Sequence, residues 1–323
     1  MTPSLSRRRA LFGAAGALAL GVGGTAAFRS RARDAGMQTR TRAGVAFGTT
    51  VALTFAGPDA EPLDRAIDAG FAAIRACERA ASLLRPDSAL SRLNREGTLA
   101  EPDPHLVALA RFALDLAEAT EGAFDPTVQP LWPLWRKAAD AGARPSDREL
   151  EETVRLIDWR AVEVSDALIA FHRRRMAMTL NGVLQGYAAD LVIAEARRLG
   201  TPNALVDTGE FGAYGVSPSG APWRLAVAET VEDPRPYLVS DDFVGFAASS
   251  AGAGTPFSAD GLDNHMFDPR TGRSPRLMRR TAVFARSGML ADGLSTAAYI
   301  MDEGRSRALS RALGCSIWLG RAE

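Results

Sequence analysis

Met176-Ala177-Met178-Thr179-Leu180-Asn181-Gly182-Val183-Leu184-Gln185-Gly186-Tyr187-Ala188-Ala189-Asp190 is the stretch on which the reading of the fold turns. Met176–Leu180 has the apolar character of a strand, and Val183–Leu199 carries apolar residues at helical spacing. A strand that runs through glycine straight into a helix leaves the first backbone N–H groups of that helix facing whatever lies above the strand end, a natural place for phosphate. The glycine spacing is not the dinucleotide fingerprint, so a doubly wound nucleotide-binding domain does not follow.

Outward from this stretch, strands and helices mix without strict alternation. Upstream, Ala161–Val164 and Leu168–Phe171 read as a hairpin, Val45–Phe55 as a strand, and Leu63–Leu84 and His105–Ala119 as amphipathic helices. Downstream come strands at Ala204–Asp207, Trp223–Ala228 and Phe243–Ser249, then a glycine-rich loop over 250–275. A strand at Thr281–Ala285, a helix from Asp292 and a strand at Ser316–Leu319 close the pattern. Hairpins of antiparallel character beside long helices predict an α+β domain. About 280 residues from Ala43 onward hold no internal repeat and no low-complexity gap, which predicts one domain over 43–323.

The N-terminus reads differently. Arg7, Arg8 and Arg9 precede an apolar run from Ala10 to Ala27 that ends in small residues. This is the make-up of a signal peptide over 1–27, and Ser-Arg-Arg before Ala-Leu-Phe favours the twin-arginine route, which exports folded proteins to the periplasm. An uncleaved anchor is the alternative, though the run is diluted by glycine and only marginal as a span. Residues 28–42 are arginine-rich and aperiodic and read as a linker. The signal takes three of the 38 basic residues and none of the 38 acidic ones, leaving a mature charge of −3 that argues against nucleic acid as a partner. Cys77 and Cys315 are the only cysteines and either pair or stay as free thiols.

Five segments fit neither plain core nor plain surface. Phe47-Gly48-Thr49 is a bulge or a point of close ligand approach. Asp87-Ser88 could cap a short helix running to Asn94. Gly122-Ala123-Phe124-Asp125-Pro126-Thr127 is a turn that places an aromatic ring beside an acid, and the glycine turn around Gly182 is the fourth segment. The fifth joins His265-Met266-Phe267-Asp268-Pro269-Arg270-Thr271-Gly272 with Asp292 and Thr296. Asp292 and Thr296 stand four apart on a predicted helix, so they share a face. A carboxylate with a hydroxyl suits a hard cation such as Mg²⁺, and an N-capping Asp with Thr296 bonded back to a carbonyl is the bland alternative. Of the three histidines, His105 and His172 look like surface residues, and His265 alone has a chemical setting.

Taken in order, these segments resemble the ApbE family of FAD:protein FMN transferases, over nearly all of the chain from Ala43. The resemblance implies a T-fold-like α+β domain. It also implies a reaction in which Mg²⁺ and FAD bind together, FMN passes to a Thr or Ser hydroxyl of a target protein, and AMP leaves. By family position Phe47, Leu84, Ala123, Phe124, Asp125, Thr179, Gln185 and Met266 line the FAD site. Asp292, Thr296 and the backbone carbonyl near Gly182 hold Mg²⁺, and His265 is the candidate base.

The chain departs from the common family pattern in places. Phe47 stands where Met is usual and Leu84 where an aromatic often stacks on the flavin. The usual Asp-Leu-Gly-Gly-Ile-Ala-Lys-Gly-Tyr reads Thr179-Leu180-Asn181-Gly182-Val183-Leu184-Gln185-Gly186-Tyr187, without its acid and its base. Together with Val206-Asp207-Thr208-Gly209-Glu210 this resembles the NosX branch, which implies a NosR-like membrane protein of nitrous-oxide respiration as acceptor. Membrane contact then comes only through the signal segment or the acceptor. A flavin-binding carrier of the same fold without transfer activity is the alternative function, motivated by the altered turn; an unrelated periplasmic binding protein leaves the ordered motifs unexplained.

Overall fold

Alternation along Thr49–Gly57 (β2) buries Val51, Leu53 and Phe55 on one face, and this strand anchors the main sheet. The computed structural model describes residues 36–228 and 236–321; the signal peptide, the anchor alternative and most of the predicted linker lie outside them. Gln38–Ala46 (β1) pairs antiparallel with β2, so the strand begins inside the segment whose composition reads as linker. The arginines responsible for that reading have partners on the first helix, Ala60–Ala81 (α1): Arg40 meets Asp64 at 3.0 Å and Arg42 meets Asp68 at 2.6 Å.

Seven strands form the main sheet, all neighbours antiparallel. To β1 and β2 it adds Asn203–Asp207 (β6), Phe211–Tyr214 (β7), Gly245–Ala251 (β10), Met278–Ala285 (β11) and Ser316–Arg321 (β12), in the order β1-β2-β6-β7-β10-β11-β12. Thr98–Ala100 (β3), Val162–Val164 (β4) and Leu168–Phe171 (β5) make a small sheet of order β3-β5-β4, and Leu225–Ala228 (β8) pairs with Pro236–Ser240 (β9). The remaining helices are Ala89–Glu96 (α2), Pro104–Ala119 (α3), Leu131–Asp140 (α4), Asp147–Val154 (α5), Asn181–Arg198 (α6), Gly288–Ile300 (α7) and Glu303–Ala312 (α8). This is the α+β domain that the pattern predicts.

Helices α1, α6 and α7 pack side by side on one face of the main sheet. Val51, Leu53, Phe55, Ile67, Val192 and Leu294 share the core between them. The opposite face is covered around Trp223, Leu225 and Phe243. Burying such side chains stabilises by about 1.5–3 kcal/mol each, and the helix pair in the middle holds the fold's tightest approach. Gly186 of α6 and Gly288 of α7 meet backbone to backbone: a Cβ on Gly186 would stand 2.1 Å from the Gly288 carbonyl oxygen, and one on Gly288 would stand 2.3 Å from that of Gly186. Asp190, one turn along α6, accepts from Ser287 Oγ and from the Gly288 and Met289 N–H groups at 2.7–3.0 Å, capping α7 from the side.

Three local expectations change. Met176–Leu180 is no strand, because its backbone groups are taken by other partners. The Asn94 carboxamide both accepts from Met178 N–H (2.7 Å) and donates to Met178 O (2.8 Å), while Thr179 N–H donates to Pro126 O. Phe47-Gly48 is neither bulge nor strand. It is the two-residue turn of the β1–β2 hairpin, with φ of 54° and 78°, and Phe47 N–H is held by Glu78. Helix α7 starts at Gly288, with Ser287 as its cap, so Asp292 lies in the helix interior and is not its N-cap. Ser88 caps α2 as its position predicts, and Cys77 and Cys315 are free thiols.

Gly186→Ala drives a methyl group into the α7 backbone, and we expect it to lower unfolding stability by about 3 kcal/mol. Chemical denaturation checks this; an unchanged midpoint and slope would mean that the two helices separate freely.

Candidate active site

A cavity of about 420 Å³ opens where the N-terminus of α6, helix α7, the β1–β2 turn and the 252–277 loop converge. Its lining includes every residue singled out from the sequence: Phe47, Leu84, Ala123, Phe124, Asp125, Thr179, Gly182, Gln185, His265, Met266, Asp292 and Thr296. Residues up to 249 positions apart along the chain, Phe47 to Thr296, thus reach one space.

The oxygen-bearing side is built by α6 and α7. Asp292 is only 4% exposed, and its carboxylate accepts from Gly186 N–H at 3.0 Å, locking it over the first turns of α6. Thr296, one turn on, faces Gly182: a Cβ there would lie 3.0 Å from Thr296 Oγ1 and 3.2 Å from the Phe124 ring. Glycine at 182 therefore lets the backbone at the start of α6 approach the Thr296 hydroxyl, across a gap that any other side chain would fill. The alternative in which Thr296 bonds back to a helix carbonyl does not hold; its recorded hydroxyl neighbour is Ser250 Oγ at 3.5 Å. Glu210, which the sequence reading did not select, enters the same cavity, with its carboxylate accepting from Ser249 N–H at 3.1 Å. Burial raises both Asp292 and Glu210 above the usual carboxylate range, and for Glu210 the charge of Asp292 adds to the effect.

Among the described residues no three His, Cys, Asp or Glu side chains form a metal cluster. The donors that do converge are one buried carboxylate, a hydroxyl and the backbone beside Gly182. That set fits Mg²⁺, a hard cation that keeps waters and takes phosphate oxygens as its other ligands.

The rest of the lining includes an apolar and aromatic set, Phe47, Phe124, Trp132, Met266 and Phe267, with Leu84 at 45% exposure. Trp132 is not among the residues that the sequence selects. Trp135 is core, stacked on Phe257 and Phe267, whereas Trp132 reaches the cavity. Asp125 lines the cavity but is largely occupied: its carboxylate accepts from Thr127 N–H and from Thr127 Oγ1. Burial raises its pKa against those hydrogen bonds.

His265 sits on a loop stapled to its surroundings. Ser274 Oγ accepts from Asn264 N–H and donates to Asn264 O, and Trp135 Nε1 donates to Gly272 O. His265 itself is half-buried and lines the cavity. Desolvation lowers its pKa to about 4, with a hydrogen bond to the backbone of Thr255 working the other way. Its Nδ1 is buried without a partner, so the ring is neutral at pH 7 and has a nitrogen free to accept. His172 is exposed and pairs loosely with Glu163, while His105 is half-buried and bonds Tyr187.

Between pH 6.5 and 4 the unfolded chain protonates this histidine and the folded chain does not. Its contribution is therefore complete above pH 6.5 and is lost as the pH falls toward 4. Asp207, held up at about 6 by burial, works in the opposite sense between about pH 6 and 4 and flattens the net profile. His265→Gln should lose about 2 kcal/mol less stability than the wild type on going from pH 7 to 4.5. Parallel denaturation series at the two pH values would contradict this burial if they showed equal losses.

The family model for the ApbE family matches residues 47–317. The FAD:protein FMN transferase of Vibrio cholerae serotype O1 is 30% identical over 241 residues, covering 72% of each chain. That of Treponema pallidum is 27% identical over 310 residues, covering 89% of this chain and 84% of its own. In fold, the chain is similar to the ApbE protein of Thermotoga maritima, with a TM-score of 0.79 at 24% identity, covering 88% and 94%. The flavin transferase ApbE from Vibrio cholerae gives 0.75 at 24%, covering 88% and 93%. The motifs meet in one cavity, and the match spans nearly the whole described chain: this protein belongs to the ApbE family.

Proposed function

We propose that the chain moves the FMN half of FAD onto a Thr or Ser hydroxyl of a target protein and releases AMP. The observation that carries this reading is the single cavity that joins an aromatic bed, the Asp292–Thr296–Gly182 oxygen set and the unpartnered Nδ1 of His265. The relatives' activity and the family match point the same way.

Transfer at a pyrophosphate needs charge neutralisation and in-line positioning more than covalent help from the protein. The acceptor oxygen bonds to the phosphorus on the FMN side, and the bond from that phosphorus to the bridging oxygen breaks. AMP leaves with the electron pair on that oxygen. His265 Nδ1 takes the proton of the attacking hydroxyl and passes it to water, a role its neutral state permits. Asp292, Thr296 and the Gly182 carbonyl would hold Mg²⁺, which neutralises the charge that grows on the phosphate oxygens. Phe47, Leu84, Ala123, Phe124, Thr179, Gln185 and Met266 bound the space for the flavin nucleotide, and Asp125 shapes the turn beneath it.

The Thr179–Tyr187 and Val206–Glu210 patterns support a NosX-like branch with a NosR-like membrane protein as acceptor. The Arg7–Arg9 run and the apolar segment after it support twin-arginine export to the periplasm. Among the described residues no helix is long and apolar enough to cross a membrane.

Purified protein incubated with FAD, Mg²⁺ and an acceptor domain should place in-gel flavin fluorescence on the acceptor. Asp292→Ala should abolish the label, and His265→Ala should slow its appearance ~100-fold or more. FAD retained by the wild type with no covalent label on the acceptor would replace transferase with carrier.

A further inference from the structure

We infer that Ser274 is a positioning residue for His265, aiming its ring through the backbone on either side of it. The inference rests on the reading of His265 as the base of this cavity. A histidine base is commonly aimed by a side chain that bonds its other ring nitrogen. Behind His265 stands backbone instead: the ring bonds to the backbone of Thr255, and Thr255 O also accepts from His265 N–H at 3.2 Å. The direction of the ring therefore follows the direction of its own backbone, and two buried side chains, Asn264 and Ser274, set that direction.

Ser274 Oγ accepts from Asn264 N–H and donates to Asn264 O, both at 2.8 Å. One hydroxyl, donor and acceptor at once, thus holds the peptide groups before and after Asn264. Asn264 Oδ1 reaches past His265 to accept from Met266 N–H at 3.0 Å, which fixes the peptide on the far side. Asn264 Nδ2 donates to Gly261 O at 3.2 Å and lies against Gly252, where a Cβ would come within 2.3 Å of it. Gly252 follows directly on β10, whose last residues, Ser249, Ser250 and Ala251, line the cavity. Both peptides flanking His265 are in this way tied to the cavity wall. Without the Ser274 hydroxyl, Asn264 N–H and Asn264 O are left buried and unpaired, and the peptide ahead of His265 turns to find new partners. The loop as a whole stays in place. Asp263, 2% exposed, is bridged by Arg144 and Arg276, and its carbonyl accepts from Phe257 N–H at 2.7 Å. Loss of the hydroxyl therefore misdirects the base and leaves the flavin-binding walls as they are.

A double-mutant cycle between Ser274→Ala and His265→Ala, read as the rate of flavin labelling of an acceptor domain in FAD and Mg²⁺, tests this directly. Alone, Ser274→Ala should lower kcat on the order of 10- to 100-fold, with KM for FAD and for the acceptor unchanged. In the His265→Ala background it should cost nothing more, because the group it aims is gone. Ser274→Thr, which keeps the hydroxyl, should keep most of the rate. Should Ser274→Ala not fold, Ser274→Cys, close in volume and weak as a hydrogen-bonding group, enters the same cycle with the same expected results. A wild-type rate in the variant without the hydroxyl would overturn the proposal. Equal losses with and without His265 would overturn it too, by showing that Ser274 acts through the fold, and so would a rise in KM for FAD that accounts for the slowing. A folded Ser274→Thr as slow as Ser274→Ala would remove the hydroxyl from the account. A wild-type rate in His265→Ala alone would instead defeat the reading of the base, and the inference with it.

Discussion

The contact between Gly186 and Gly288 decides where the oxygens of Asp292 and Thr296 can be. Two helices whose backbones touch can neither slide nor separate without losing packing on both sides. Asp190 adds direction to the contact, since three hydrogen bonds from the start of α7 converge on its carboxylate. With α7 fixed at that end, Asp292 falls one turn in, against Gly186 N–H, and Thr296 falls a turn further, against Gly182. A glycine-containing turn and a helix 106 residues later along the chain become one rigid corner. The corner faces the cavity because the main sheet closes the other side.

Around that corner the chemistry divides by burial. Carboxylates pressed into a cavity whose described lining holds no arginine or lysine are costly unless a cation or a proton neutralises them, which is why Asp292 and Glu210 both sit above their usual range. The same desolvation drives His265 the other way, keeping its ring neutral with one nitrogen unused. Carboxylates raised above their usual range and a histidine held below its own thus come from a single physical cause acting on groups of opposite charge type.

Much of this was legible in the sequence, for reasons that can be traced residue by residue. Ser88 announces α2, Pro104 and the apolar spacing after it announce α3, and the i, i+4 spacing of Asp292 and Thr296 survives whichever residue starts their helix. What escaped depends on contacts that have no local signature. Ser287 caps α7 locally, and Asp190, 97 residues upstream, holds the same end through a tertiary contact that the sequence does not show. Met176–Leu180 has strand composition, but its hydrogen bonds go to Asn94 and Pro126. Arg40 and Arg42 read as linker because their partners, Asp64 and Asp68, lie on a helix more than twenty residues away. Glu210 was quoted within a motif but not chosen, since nothing in its neighbours tells that the strand turn feeds into the same cavity.

The central claim is that the α6–α7 corner holds the cation and the flavin nucleotide together. Diffraction from crystals grown with FAD and Mn²⁺, with data collected at the manganese absorption edge, tests it most directly. The account predicts an anomalous peak between Asp292, Thr296 and the Gly182 carbonyl, with the pyrophosphate beside it and the flavin on the Phe47–Trp132 side. A manganese peak bound elsewhere, or FAD ordered outside this cavity, would contradict it.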